Sequence, residues 1–212
     1  MTAVASPTLL PWRPQVPAGY RGPRIALIHG LLAGAHMQKH LLHFLREAGY
    51  ADVTLYSNHH SVQAITDDLA AALADGRAVA LIGYSQGGFQ AFKVAQRLSE
   101  RRLPVALLVS YASGGVGRWY PPQWGFNPRL LPTGVRRCLN AFSGVDFMGT
   151  DKPHERNLVA QNGHAELVEN IFFPDALGID HIAMARCYPG ERVHPAVRER
   201  LLDRLLAELA QL

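Results

Sequence analysis

One stretch of the chain, residues 78–87, reads AVALIGYSQG. Its first five residues are apolar and predict a strand, and the residues from Ser85 to Arg101 have the periodicity of a helix. Gly83, Ser85 and Gly87 match the pattern G-x-S-x-G, which holds a serine on a tight turn between a strand and a helix. The positions two residues before and two residues after the serine are glycine because a larger side chain there would collide with nearby backbone. A Gly-rich turn without chemistry is the alternative, but the flanking strand and helix favour Ser85 as a nucleophile.

Strands and helices alternate on both sides of this turn. The predicted strands are residues 24–29, 52–57, 78–83, 104–110, 138–142 and 166–173, each a short apolar run. The predicted helices are residues 36–48, 63–74, 85–101 and 196–212, each with apolar residues at helical spacing. This alternation predicts an α/β fold, with a central, mostly parallel six-stranded sheet and helices on both of its faces.

Residues 111–136 interrupt the alternation. This segment combines Pro, Gly and aromatic residues with little periodicity, and it is long for a plain connection. We therefore interpret it as a functional loop or a short cap that contributes apolar rings to a substrate pocket. The rings assigned to that pocket belong to Trp119, Tyr120, Trp124 and Phe126.

The composition indicates one folded domain. Of the 212 residues, 48% are hydrophobic and 18% charged, as in an ordinary globular protein. Residues 1–23 are rich in Pro and Gly and predict an extended arm, which leaves residues 24–212 as the globular domain. The formal net charge of +4 comes from scattered basic residues, so no nucleic-acid binding is predicted.

The cysteine count and the first residues bear on location. Cys138 and Cys187 are too few for a disulfide-built scaffold, so free thiols are favoured, although pairing stays open. Prolines interrupt the first residues, which therefore do not resemble a secretory signal, and no run is long and apolar enough to cross a bilayer. We expect a cytoplasmic protein without stable membrane insertion, with signal-independent export left open.

A serine nucleophile needs a base, because its hydroxyl does not ionise near neutral pH. His181 lies between the last predicted strand and the closing helix, which places it at the carboxyl edge of the sheet with Ser85. His164 precedes the last strand, and His194 stands at the start of the closing helix, where capping explains it. We therefore predict that His181 is the base.

The imidazole in turn needs a carboxylate to orient it. Asp146 follows the fifth strand and gives the chain order Ser, Asp, His. Asp151 lies a few residues further along, and Asp175 is closer to the histidine in sequence, so both remain competitors. Asp180 is adjacent to His181, and adjacent side chains usually point apart. Asp146 is the favoured acid, with a plain turn aspartate as the alternative interpretation.

Together these segments resemble the α/β-hydrolase family, and within it the small bacterial lipases and esterases that lack a large lid. The similarity covers residue 24 to the C-terminus and rests on residues 28–31 (IHGL), 83–88 (GYSQGG), 143–146 (SGVD) and 178–182 (GIDHI). The resemblance implies a triad of Ser85, Asp146 and His181, with oxyanion donors in the backbone N–H groups of Leu31 and Gln86. We interpret His29 as a structural residue that bonds to loop backbone and not as a catalytic one. Residues 111–136, and those between Asp151 and the last strand, match no family motif, so the resemblance predicts reaction class better than substrate.

Other functions compete with this one. His36, His40 and His43 share one face of the first helix, and His59 and His60 follow the second strand, which would suit a zinc site. No HExxH motif or nearby cysteine accompanies them, so a solvated helix face is favoured over a metal site. A non-catalytic binding domain on the same fold is a further alternative.

We expect the reaction to be acyl transfer to Ser85 followed by hydrolysis, without cofactor or metal. The expected partner is a small-molecule acyl ester or a lipid. A thioesterase, an acyltransferase or a cofactor-free haloperoxidase would use the same triad, and the sequence separates these poorly.

Overall fold

Six parallel strands form the central sheet of the protein. The computed structural model describes residues 16–212. In chain order the strands are β1 (Arg24–His29), β2 (Val53–Ser57), β3 (Val79–Tyr84), β4 (Val105–Tyr111), β5 (Val135–Ser143) and β6 (Leu167–Phe173). They pair in the order β2-β1-β3-β4-β5-β6, and each neighbouring pair is parallel. The predicted six-stranded sheet is confirmed.

Helices connect the strands and close the chain. Helix α1 runs through three consecutive segments, Gly34–Met37, Gln38–Leu42 and His43–Glu47, of which the middle one is π-helical. Helices α2 (Val62–Ala74), α3 (Gln86–Glu100) and α4 (His181–Met184) follow. Helix α5 again has three consecutive segments, Pro195–Val197, Arg198–Asp203 and Arg204–Leu209.

The helices cover both faces of the sheet because strand side chains alternate between them. Ile25 and Leu27 of β1 belong to a core that α1 and α5 complete. Ala26 and Ile28 belong to the opposite core, which α2 and α3 complete. Both sets are fully buried, which explains why β1 reads as a continuous apolar run. Helices on both faces are therefore confirmed.

The fifth strand begins earlier than its apolar pattern predicts. The prediction starts at Cys138, whereas β5 starts at Val135, because two arginines interrupt the apolar run. Arg136 donates to Glu166 Oε1 (2.8 Å) at the beginning of β6, and Arg137 donates to Glu208 Oε1 (2.9 Å) on α5. These ion pairs let charged residues extend a strand whose later part is buried.

The predicted arm lies mostly outside the described residues. Where the description begins, Tyr20 forms a turn with Pro17, and Arg77 donates to the Gly22 carbonyl at 3.1 and 3.0 Å. Cys138 and Cys187 are both buried and unpaired. Within residues 16–212, no helix has the length and apolar character needed to cross a membrane.

Candidate active site

The turn after β3 holds Ser85 in a strained backbone conformation. Its φ is +55° and its ψ is −124°, a combination that residues with a side chain rarely adopt. The Ser85 N–H donates to the Tyr111 carbonyl at the end of β4 (2.8 Å), which ties the turn to the neighbouring strand. The serine thus lies at the carboxyl edge of the sheet, where helix α3 begins.

The glycines of the motif are there for clearance. A Cβ on Gly83 would lie 2.4 Å from the carbonyl oxygen of Gly87, and a Cβ on Gly87 would lie 2.0 Å from that of Ile28. A Cβ on Gly88 would approach the Ser113 hydroxyl oxygen to 1.7 Å. The contacts at Gly83 and Gly87 are with backbone and exclude any larger residue, whereas the contact at Gly88 is with a side chain that can move. The sequence pattern therefore reflects close packing of the turn against β1.

The loop after β1 closes over the same turn. A Cβ on Gly30 would lie 2.8 Å from the Cβ of Ser85 and 3.0 Å from the backbone nitrogen of Gln86. Leu31 and Gln86 both line the cavity that contains Ser85. Gln86 is the first residue of α3, so its N–H has no carbonyl one helical turn earlier to bind. The two residues predicted as oxyanion donors are therefore brought together beside Ser85.

His29 contacts backbone. Its Nδ1 lies 2.7 Å from the Gly30 carbonyl oxygen, and its ring packs against Gly34, where a Cβ would come within 3.1 Å of Nε2. Burial has the largest effect on the pKa of His29 and lowers it. The hydrogen bond to the Gly30 carbonyl raises this pKa, and the neighbouring His60 and His59 lower it further. His29 thus supports the loop that carries Leu31.

The structure joins Asp146 and His181. Asp146 Oδ2 lies 2.8 Å from Nδ1 of His181, and its side chain is fully buried. Its other oxygen, Oδ1, accepts from the backbone N–H groups of Met148 (3.1 Å) and Gly149 (2.9 Å). These bonds hold the carboxylate in one orientation and leave Oδ2 for the imidazole. The arrangement is suited to holding a histidine with its other nitrogen free to act as a base.

The residue before the serine also holds the histidine. The Tyr84 hydroxyl donates to the backbone carbonyl of His181 (2.8 Å), and the centres of the two rings lie 4.9 Å apart. Tyr84 is buried, and burial raises the pKa of its hydroxyl, with Asp146 and Asp180 adding to the increase. Asp180 caps α4 by accepting from the Ala183 N–H (2.7 Å). The histidine is therefore fixed from three directions.

The competing residues have other partners. Asp151 pairs with Arg118 Nε (2.6 Å) and accepts from the Gly115 N–H (3.1 Å). Asp175 is exposed and starts a short 3-10 turn. His194 caps α5 by accepting from Ala196 (3.2 Å), and His164 is exposed. Among the carboxylates considered, Asp146 is the one that contacts His181.

A cavity of about 410 Å³ opens above these groups. It lies at the carboxyl edge of the sheet and has mostly apolar walls. Its lining residues are Leu31, Leu32, Ala33, His36, Tyr84, Ser85, Gln86, Val116, Gly117, Tyr120, Met148, His181 and Ile182. The nucleophile candidate and its predicted base therefore share one enclosure.

The predicted aromatic pocket is largely corrected. Tyr120 lines the cavity, but Trp119 and Trp124 are 79% and 68% exposed and do not. The Trp124 indole N–H donates to the Trp119 carbonyl (3.1 Å) across a short 3-10 turn that begins at Pro121. The two tryptophans therefore contact each other at the surface. Phe126 packs beneath the Lys93 ammonium, 5.2 Å from its ring centre, on the α2–α3 side of the sheet.

A short turn of the same segment does reach the cavity. Residues Gly115–Trp119 form a 3-10 turn, whose Val116 and Gly117 line the wall. The Gln86 side chain donates to the Gly117 carbonyl (2.6 Å) and accepts from Gln123 (3.1 Å). The wall is thus attached to the start of α3. The sequence analysis missed this contact because it assigned large aromatic side chains to the pocket, whereas Val116 and Gly117 are small residues at the start of the turn.

The prediction of a solvated histidine face on α1 is wrong at His40, whereas His43 is exposed as predicted. His40 is 5% exposed, and its Nδ1 accepts from the backbone N–H groups of Cys187 (3.3 Å) and Tyr188 (3.1 Å). Burial lowers the pKa of His40 to about 4, helped by His36, Lys39 and Arg186. His43 pairs with Glu47 at 3.1 Å. Residues 16–212 contain no group of three or more side chains placed to hold a metal ion.

Comparisons with known proteins bear on the fold. No family model and no curated protein matches the sequence. The chain is similar to an alpha/beta hydrolase superfamily protein from Enterococcus faecalis, with a TM-score of 0.54, 11% identity, and 94% of this chain and 93% of that chain covered. It is similar to Est1E from Butyrivibrio proteoclasticus, with a TM-score of 0.51, 14% identity, and 91% and 92% coverage.

A third similar structure is the RedJ thioesterase of the prodiginine biosynthetic pathway in Streptomyces coelicolor. Its TM-score is 0.53 at 16% identity, with 98% of this chain and 97% of that chain covered. At such identities the similarity concerns architecture, and nearly the whole length of each chain takes part in it. With its six-stranded parallel sheet, strained serine turn and helices on both faces, this chain has the α/β-hydrolase fold.

Proposed function

We propose that the protein is a serine hydrolase that cleaves carboxylic esters through an acyl-enzyme on Ser85. The observation that carries the proposal is the 2.8 Å contact between the buried Asp146 carboxylate and His181, which shares a cavity with Ser85. If the glycines around Ser85 served packing alone, nothing would require a buried carboxylate in contact with the imidazole that shares the cavity with Ser85.

In the proposed reaction, the Ser85 hydroxyl oxygen attacks the ester carbonyl carbon while His181 Nε2 takes its proton. The oxyanion that forms accepts from the N–H groups of Leu31 and Gln86. When it collapses, the carbon–oxygen bond to the alcohol breaks, and the leaving oxygen takes the proton from His181. Water then attacks the acyl-enzyme, with His181 again as the base, and releases the acid and Ser85.

The substrate in this proposal is a small-molecule acyl ester. Leu31, Val116, Met148 and Ile182 give the cavity apolar walls, which favour an acyl or alkyl group. The proposal involves no metal or cofactor, since a serine, a histidine and an aspartate are sufficient for acyl transfer.

The test is hydrolysis of p-nitrophenyl esters from acetate to palmitate, together with labelling by a fluorophosphonate, which reacts with activated serines. We expect the wild type to hydrolyse the shorter esters and to be labelled. Ser85→Ala should lower kcat on the order of 10⁶-fold and abolish labelling. The dependence of kcat/KM on acyl chain length then indicates how long an acyl group the pocket accommodates.

A matched control is Ser61→Ala. Ser61 is exposed and caps α2 by accepting from the Ala64 N–H (3.4 Å), so this variant removes a serine hydroxyl away from the cavity. It should keep both activity and labelling, with a loss of about 1 kcal/mol in unfolding free energy. A folded wild type that neither labels nor hydrolyses any ester would overturn the proposal and favour a non-catalytic binding domain.

A thioester substrate uses the same steps with a sulfur leaving group. One of the similar structures is described as a thioesterase, so butyryl thiocholine and butyryl choline form a useful pair for comparison. A kcat/KM at least tenfold higher for the thioester would identify the protein as a thioesterase, and the reverse ratio would identify it as an esterase. Either result leaves Ser85 as the nucleophile.

A further inference from the structure

A second imidazole lies in the cavity with His181. His36 stands in the first segment of α1, and its half-buried ring lines the wall beside Ile182, the residue after the proposed base. The proposed reaction gives it no role. A polar ring that the proposed reaction does not use requires an explanation, because ligand cavities have few polar groups and these determine specificity.

The His36 ring packs against a second, buried histidine, His40. The centres of the His36 and His40 rings are 4.3 Å apart, and His40 is itself held by the N–H groups of Cys187 and Tyr188. In the described part of the chain, the buried Nε2 of His36 has no hydrogen-bond partner. A buried polar atom without a partner is costly, and each such atom in a folded protein requires an explanation.

The surroundings of His36 favour its neutral form. Burial lowers its pKa most, and Arg186, His181 and Lys39 lower it further, against a smaller opposite effect of the Ile182 carbonyl. A neutral imidazole offers one N–H donor and one nitrogen acceptor. A hydroxyl group can either donate or accept, so it can bond the ring in either tautomer, whereas a carboxylate can only accept and an ammonium group can only donate.

The position of the ring indicates which part of the substrate it meets. The leaving oxygen must lie next to His181, because it takes its proton from that residue. His36 lies on this side, beside Ile182, whereas Val116, Gly117 and Met148 come from the loops after β4 and β5. The alcohol part of an ester therefore comes closest to His36.

We propose that His36 recognises a hydroxyl group on the alcohol part of the substrate, so that the preferred substrates are carboxylic esters of small polyols. This inference rests on the proposed ester hydrolysis at Ser85. It makes His36 a specificity-determining residue that binds the leaving group, while Asp146, His181 and Ser85 carry out the chemistry.

The test uses two esters of nearly equal size, 2-hydroxyethyl butyrate and propyl butyrate, which differ by a terminal hydroxyl in place of a methyl. The wild type should favour the hydroxyethyl ester by about tenfold in kcat/KM, the effect of one well-placed hydrogen bond. His36→Phe should remove this preference, and His36→Gln, which keeps a donor and an acceptor, should retain most of it. His164→Phe, at an exposed histidine, should keep the wild-type ratio.

The outcomes separate this inference from the function on which it rests. If the wild type hydrolyses both esters equally, the role of His36 is overturned while ester hydrolysis stands, and this result does not depend on whether any variant folds. If His36→Phe retains the preference, the role is likewise overturned. If the wild type hydrolyses neither butyrate nor p-nitrophenyl butyrate, the proposed function itself fails.

Discussion

Two aspartates in the loop after β5 differ in the side chain that each one contacts. Asp146 is fully buried and contacts the imidazole of His181 and two backbone N–H groups. Asp151 is nearly buried and contacts the guanidinium of Arg118, with that of Arg129 at 3.8 Å. Both are acceptors in tight polar networks, and the sequence places both after the same strand.

The partner determines what each carboxylate can do. An imidazole can gain and lose a proton near neutral pH, so a carboxylate beside it can support proton transfer. A guanidinium keeps its proton, so a carboxylate beside it has a structural role. Asp151 compensates a buried cation: burial and Arg118 lower the pKa of Arg129 to about 10, and Asp151 opposes that shift. The two residues should therefore respond to substitution in opposite ways.

Asp146→Asn is expected to have the largest effect, on activity. The asparagine oxygen can still accept from Met148 and Gly149, but its amide N–H would face His181 Nδ1 and favour the tautomer that cannot take the serine proton. We expect kcat for p-nitrophenyl butyrate to fall about 10³- to 10⁴-fold. Urea denaturation should give an unfolding free energy close to that of the wild type. Asp175→Asn, at an exposed aspartate, is the control, and an equal loss there would contradict the assignment.

Asp151→Asn is expected to reduce stability instead. It leaves Arg129, whose side chain is 9% exposed, without its compensating charge and breaks the 2.6 Å contact to Arg118. We expect the unfolding free energy to fall on the order of 3 kcal/mol. At a temperature where the variant is folded, kcat should fall far less than in Asp146→Asn. A loss of activity as large as that of Asp146→Asn, with unchanged stability, would reverse the comparison.

Tyr84→Phe tests whether the carboxylate alone positions the base. The variant keeps the ring contact with His181 and removes the 2.8 Å bond to its carbonyl. One lost hydrogen bond corresponds to about 1 kcal/mol, so we expect kcat to fall about fivefold. KM should change little, because Tyr84 acts through His181. A variant that changes KM alone would indicate a role in substrate binding instead.

The smallest effect on activity is expected at His40, where an imidazole is held by backbone N–H groups and not by a carboxylate. Its pKa is about 4 in the folded protein against 6.5 ordinarily, so between these values the unfolded chain takes up a proton that the folded chain does not. Its contribution to stability is complete above pH 6.5 and is lost as the pH falls towards 4.

This prediction is checked by urea denaturation of the wild type and His40→Asn at pH 7, 5.5 and 4.5. The difference in unfolding free energy between the two should shrink as the pH falls, since asparagine can still accept a hydrogen bond and does not titrate. His164→Asn, at an exposed histidine, should follow the wild type throughout. A difference that stays constant with pH would rule out this role for His40.

Much of the architecture could be predicted from local patterns. The sheet and its two helical layers were correctly predicted, because apolar strand runs and helical spacing are local signals. The glycines around Ser85 were also interpretable, since each one relieves a specific collision. The early start of β5 was not predictable, because Arg136 and Arg137 find their partners on β6 and α5.

The site itself was only partly predictable. Chain order placed Asp146 and His181 at the carboxyl edge, and the structure brings them into contact. Their chemical roles, and that of Ser85, stay predictions until the variants are measured. Of the predicted pocket residues, Tyr120 lines the cavity, whereas Trp119 and Trp124 are exposed. Val116 and Met148 line it instead, and neither has a distinctive local pattern.

The sequence of this chain is sufficient to specify which elements form, their order, and the one turn that presents a serine, because periodicity and steric clearance act over a few residues. It left open which aspartate meets the histidine and which side chains enclose the cavity. Those depend on contacts between residues far apart in the chain, such as Asp146 with His181 and Tyr84 with the His181 carbonyl. A carboxylate has the same local signature beside an imidazole or a guanidinium, so only folding the chain separates the two cases.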